Sequence, residues 1–431
     1  MLIALNNQAA IKNYFWNFLL SKKFVLIFLF SYCIIPETYS QVLSLDSVLS
    51  RIENNNPALL SYTNKIAGAN ERVNSVRTWM PTMIGVQAGD NPYSFDFKNN
   101  TYQAMFVAEQ WFPNGKRNTA KENYFKSFAS IKQNEYDYLK NQLFAKAKET
   151  YYERYITEKK IQIIKDNIEL MKAMVDISEK HLSSGMEDLG SIYKTKARLT
   201  DSQTMLLHEE NMVKSLTVTL NYLMNSDVNQ QFDVDTNNLV KNYREKNLFP
   251  LKDSLALIRS DIQRINSEIS NTTLNRTLMS LQSKPEYGFR FEHTAMFSGK
   301  DLYAAMFMVS VPIFSKSSRG YKSEVKAMGF EISAMEQDKQ AMLNMANQMV
   351  TMIVLELNTE YAEVDNYRNK VIPAYKKSFD TNLLSYSQNT GELMKALLAW
   401  DDLQMAQMKY LEHLGILLKA QAEYEKEMQI R

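Results

Sequence analysis

Two periodicities alternate along the chain. From Leu43 to Thr78 apolar residues recur at helical spacing in two segments. "NNNP" separates them and makes Asn56 an N-cap with Pro57 at the first helical position. Met83 to Gly89 and Thr101 to Phe112 then alternate with period two, the pattern of half-buried strands. Helical spacing returns after Asn118, and no Gly or Pro interrupts the chain from Lys121 to Ser184. At about 1.5 Å per residue, that stretch predicts a rod on the order of 100 Å long. "HLSSGMEDLG" breaks it near Gly185, and a return helix runs from Ser191 to about Met224.

After a polar linker the plan starts again. Leu251 to Leu281 reads as helix, 287–293 and 302–314 as strands, and a second long helical pattern follows "KSSRG". Phe330 to Ile372 lacks Gly and Pro, Pro373 is expected to bend this rod, and a final helix covers about Leu393 to Glu427. Ala104-Met105-Phe106 reappears as Ala305-Met306-Phe307, and "HLSSGMEDLGSIYKTKARL" lies on "SYSQNTGELMKALLAWDDL", with Gly185 on Asn389. The organisation is therefore a duplicated helix-strand-strand-long helix-helix unit. Residues 41–225 form the first copy, with helical part 116–224; 226–250 form a linker, and 251–431 the second copy, with helical part 317–427.

The strands carry a nearly pure apolar face. Tyr102, Ala104, Phe106, Ala108 and Phe112 align in the first copy, with Gln110 the exception; Tyr303, Ala305, Phe307, Val309, Val311 and Ile313 align in the second. Tyr287, Phe289 and Phe291 share a side, against Gly288, Arg290 and Glu292 on the other. A membrane barrel with lipid outside and water inside fits this pattern, and so does a soluble sandwich with one buried face. Four strands cannot close a barrel, so the membrane reading requires an oligomer; three copies would supply twelve strands.

Composition narrows the classes. Twelve Gly and nine Pro in 431 residues favour long helices, and 50 basic against 48 acidic residues give no field that selects nucleic acid. The single cysteine, Cys33, falls in the run "FVLIFLFSYCII" that follows Lys22 and Lys23. Residues 1–40 read as a secretory signal, with Gln41 the first mature residue, or, uncleaved, as a permanent anchor; the apolar run is shorter than the ~20 residues a span needs. No P-loop, dinucleotide fingerprint, "GxSxG" or clustered metal ligands occur, so no enzyme, cofactor or bound metal is expected.

"LSLDSVLSRIENNNPAL", the "WMPT" exit to the first strand, "VSVPIFSKSSRGYKSEV" and the two turn regions resemble, in this order, the TolC-like outer membrane efflux protein family. The resemblance spans nearly the whole mature chain. It implies a mainly α fold with a β-barrel part: a homotrimer whose 12-stranded outer membrane barrel continues into a long periplasmic α-helical tunnel. It further implies passive conduction of solutes delivered by a periplasmic adaptor and an inner membrane pump. Most of the mass would then lie in the periplasm. Asn389 stands where the family often has Gly, and Gly391 follows it.

Under this resemblance the two turns form the periplasmic tip. Glu187, Asp188 and Glu392 are candidates for a carboxylate ring at the pore constriction, or for complementing helix dipoles. Leu182, Gly185, Asn389 and Met394 are candidates for the adaptor contact, or simple helix breakers and their neighbours. Met342, Met345, Met349 and Met352 share a helix face, which suits core packing or, with soft thioethers, a channel specialised for copper or silver. His181, His208, His293 and His413 are expected to have surface or packing roles. The competing class is a periplasmic adaptor-like coiled-coil protein, which would not need two strand pairs with apolar faces in matching positions.

Overall fold

The computed structural model describes residues 41–89, 103–183, 185, 188–235, 239–243, 252–296 and 299–430. The leader, Tyr102 and Glu187 lie outside them. Residues 41–43 and 231–233 form a small compact unit, in which β1 (Gln41–Leu43) pairs with β4 (Phe232–Val234).

The larger unit begins with α1 (Leu45–Asn55) and α2 (Pro57–Asn74). Asn56 joins them as expected: its side chain accepts from Ala58 N–H at 3.0 Å and donates to the Leu223 carbonyl at 2.9 Å. The long polar pattern forms a single helix, α3 (Gly115–Ser183), of 69 residues, and α4 (Leu189–Met224) returns along it. After α5 (Lys252–Ile258) and α6 (Ser260–Ser280), α7 (Ser315–Asn366) and α8 (Ile372–Ser387) make the second long arm, and α9 (Leu393–Glu427) returns.

Pro373 acts through the turn before it. Residues Tyr367–Val371 form a π-helical turn, with Ile372 N–H bonded to the Tyr367 carbonyl. A wider turn relieves the clash between a proline ring and the carbonyl four residues back, so the helix continues past the proline. On α7, Leu343, Ala346, Val350, Ile353, Val354 and Leu357 are buried at helical spacing. Toward the turns, Met171 and Met174 of α3 pack with Phe379 and Tyr386 of α8 and with Leu397 and Trp400 of α9.

The four remaining strands form one antiparallel sheet in the order β2-β3-β5-β6. They are β2 (Met83–Gly89), β3 (Gln103–Phe112), β5 (Glu286–Met296) and β6 (Leu302–Ser310). The central pair leads straight out of α3 and α6. Asn134 donates to the Gln263 carbonyl and Ser267, Asn271 to Ser127, and Asn114 to the Pro285 carbonyl. Phe112 then faces Tyr287 in the sheet. β5 is longer than expected, whereas β6 stops before Val311 and Ile313. Those two residues were expected in the strand; pairing ends where Ser310 meets Glu286, because Pro285 precedes Glu286 and Pro312 follows Val311, and neither proline has an N–H to donate. Both remain exposed beyond the strand. Among the described residues, no helix is long and apolar enough to cross a membrane.

Candidate functional site

The register separates the two faces of the sheet. Phe112, Tyr287 and Val309 stand in one row, Gln110, Phe289 and Phe307 in the next, then Ala108, Phe291 and Ala305, then Phe106, His293 and Tyr303. β2 adds Ile84 and Val86 to the same face, opposite Ala108 and Phe106. These large apolar side chains are exposed, Ile84 by 82% and Phe307 by 68% of their surface, so none of the described residues covers them. Rings cluster at the helical end, where Trp79 meets Phe112 edge-on at 5.2 Å and Tyr287 stacks on Phe307 at 6.0 Å. Gln110, the polar exception, is occupied by the chain leading into β2: its amide donates to the Met80 carbonyl at 2.8 Å.

The reverse face carries every Lys, Arg, Asp and Glu of the four strands. Glu109 lies directly across from Arg290, whose guanidinium is 3.7 Å from Glu109 and 2.5 Å from Glu292. Trp111 donates its indole N–H to Glu109 at 2.6 Å, and its ring lies flat over Gly288, where a Cβ would approach within 3.0 Å. Glu286, at the helical end, pairs with Arg117. Period-two alternation revealed the polar face, but not the role of Trp111 in orienting Glu109.

At the opposite end of the helices the two turns share one backbone solution. Gly185 has φ 68° and Asn389 φ 60°, and their N–H groups donate to the carbonyls of Leu182 and Tyr386. Only Gly, and Asn among ordinary residues, takes this left-handed conformation readily. Asp188 and Glu392 then occupy the N-cap positions of α4 and α9. Their side chains differ. Asp188 accepts from Gly190 and Ser191 N–H and from the Ser191 hydroxyl, which holds its carboxyl below the usual aspartate range, the hydroxyl contributing most. Glu392 makes no capping bond and sits exposed, 3.5 Å from Lys395.

A groove of about 370 Å³ brings Asp188, Asn389, Glu392 and Met394 together with His181 and Tyr386. His181 meets Tyr386 edge-on at 5.0 Å, and Lys194 places its ammonium 3.4 Å from the Met394 sulfur. Leu182 is half-buried beside the turn. Farther along, Arg198 pairs with Asp401 and lies 5.9 Å from the Trp400 ring centre, joining α4 to α9. Burial pushes the Asp401 carboxyl above its usual range, an effect that Arg198 only partly offsets. Met345, Met349 and Met352 point away from the chain's own core, and Met342 is half-buried.

No protein-family model and no curated protein matches the sequence. Solved structures do. The chain is similar to the outer membrane protein VceC of Vibrio cholerae, with TM-score 0.72 and 14% identity, covering 89% of this chain and 95% of that one. It is similar to the CmeC outer membrane channel of Campylobacter jejuni, with TM-score 0.72, 12% identity, and coverages of 89% and 85%. It is also similar to the MtrE outer membrane channel of Neisseria gonorrhoeae in its open state, with TM-score 0.68, 14% identity, and coverages of 89% and 88%. Identities this low speak for the fold, and the chain has the fold of the TolC-like outer membrane channels that its motifs resemble.

Proposed function

We propose that the chain is the outer membrane channel of a tripartite efflux system, passively conducting solutes expelled by an inner membrane pump through a periplasmic adaptor. The observation that carries this reading is the sheet. One face is apolar and aromatic, the other holds the charges, and among the described residues both β2 and β6 have an unpaired edge. A soluble protein would cover such a face and such edges; a barrel places the first in lipid and pairs the second. Three copies of a duplicated unit would supply twelve strands and close every edge. The exposed stripe of Met345, Met349, Met352 and Leu355 on α7 supports assembly, since helix neighbours would cover it.

In this reading Glu392 and Glu187 serve the pore constriction, while Asp188 serves chiefly as the α4 cap. Leu182, Gly185, Asn389 and Met394, around the tip groove, form the adaptor contact. Membrane fractionation of the expressed chain, followed by mass determination of the detergent-extracted particle, tests the proposal. A three-chain particle in the outer membrane is expected; a detergent-independent monomer would overturn it.

A further inference from the structure

We propose that Glu109, Arg290 and Glu292 form a charge-selecting ring on the inner wall of the barrel, separate from the tip. The inference rests on the channel reading above. Four charged residues occur in the sheet, all on the face away from the aromatic belt, and one of them, Glu286, is neutralised by Arg117. The other three sit within two rows of the central strands, Glu109 opposite Arg290 and Glu292 two residues farther along β5. Around them the described strand residues of this face are uncharged, among them Met83, Met105, Val107, Thr294, Met306 and Met308. The field inside the barrel is therefore concentrated at one level.

Its sign follows from the stoichiometry. Two carboxylates share one guanidinium, so this trio contributes a net charge of one negative per copy to the lumen. The carboxylates are held in place rather than loosely solvated. Gly288 leaves room for the Trp111 ring, the Trp111 N–H fixes Glu109, and Glu109 with Glu292 brackets Arg290. Cross-strand pairing alone would need one carboxylate for one guanidinium. The second carboxylate is what makes the wall attract cations, and Arg290 sets how strongly. A pore lined this way favours cationic over anionic solutes before they leave the cell.

Planar-bilayer recording under a potassium chloride gradient, with the purified full chain, tests this. Arg290→Gln is expected to shift the reversal potential toward the potassium equilibrium potential, and Glu292→Gln to shift it toward zero. Arg290→Lys, which keeps the charge, is expected to leave it unchanged and controls for loss of packing. Unshifted potentials in both Arg290→Gln and Glu292→Gln would overturn the ring while leaving the channel reading intact, most clearly if Glu392→Gln shifted the potential in the same assay. Failure of the unmodified protein to form any pore would overturn both.

Discussion

Lys148 of α3 and Glu425 of α9 form an ion pair 2.5 Å long, and neither side chain reaches solvent appreciably. The second Glu425 oxygen accepts from Lys241 at 2.6 Å and from the Tyr243 hydroxyl at 2.7 Å, so one buried carboxylate ties two helices to the 239–243 segment. Burial alone would raise its pKa; the charge and hydrogen bond of Lys148, with Lys241 and Tyr243, outweigh that and hold it below the ordinary value of 4.5.

Removing one partner strands the other. Glu425→Gln should destabilise the helical part by about 3–5 kcal/mol, while Lys148→Met with Glu425→Met should cost less than either single change. Thermal melting of the extracted protein compares them. Because the folded pKa is depressed, this stabilisation is complete above pH 4.5 and disappears as pH falls through the lower folded value. Glu425→Gln should flatten that part of the acid profile.

The two N-cap carboxylates should separate cleanly. Asp188→Asn keeps an acceptor for the α4 N-terminus, whereas Asp188→Ala leaves Gly190 and Ser191 N–H without it; hydrogen exchange in the first turn of α4 should accelerate only in the second variant. Glu392→Gln should leave exchange unchanged and alter the single-channel reversal potential. The opposite pattern would assign the pore role to Asp188.

The left-handed turns can be tested by side chain alone. Asn389→Gly should be tolerated, and Asn389→Val should cost about 1–2 kcal/mol through strain at positive φ. At Gly185 no described residue lies within 4 Å of an added Cβ, so the penalty for Gly185→Ala, on the order of 1 kcal/mol, is expected to reflect the positive φ. Melting temperatures of the three variants check both statements.

A charge on the aromatic side of the sheet should block assembly more than one on its reverse. Phe289→Lys should cost about 2–4 kcal/mol if that residue meets lipid near the bilayer centre. Met306→Lys, one row away on the other face, should assemble normally. The fraction migrating as intact oligomer on an unheated gel reads the difference; equal loss in both would mean that the aromatic face is buried by protein.

Strand faces and helix spans were legible because they depend on local periodicity. Met83–Gly89 and Leu393–Glu427 match the pattern residue for residue. Val311 and Ile313 continued the alternation, but a strand ends where its neighbour stops offering partners, and that neighbour is set by Pro285. The tip groove was only half visible. Gly185, Asn389 and the two N-cap acids stand out in the chain, yet Lys194 reaches Met394 across 200 residues, and no local pattern carries that contact. Pro373 announced a disturbance, but the π turn that absorbs it depends on how α7, α8 and α9 pack. Met345, Met349 and Met352 of α7 have the spacing of a core stripe and lie outside the chain's own core, a distinction set by neighbours and not by spacing.

The pairing of β3 with β5 also bears on how the chain folds. Phe112 and Tyr287 are adjacent in the sheet but 175 residues apart in the chain, a costly loop to close in an unfolded polypeptide. The contacts from Asn134 through Asn271 to Asn114 bring those strand ends together one step at a time once α3 and α6 have docked. The apolar sheet is thus expected to be templated by the helices and to form after them. Under the channel reading, a chain on its way to the outer membrane would cross water with its membrane-seeking surface still unassembled, and create that surface only when the helices are ready to deliver it.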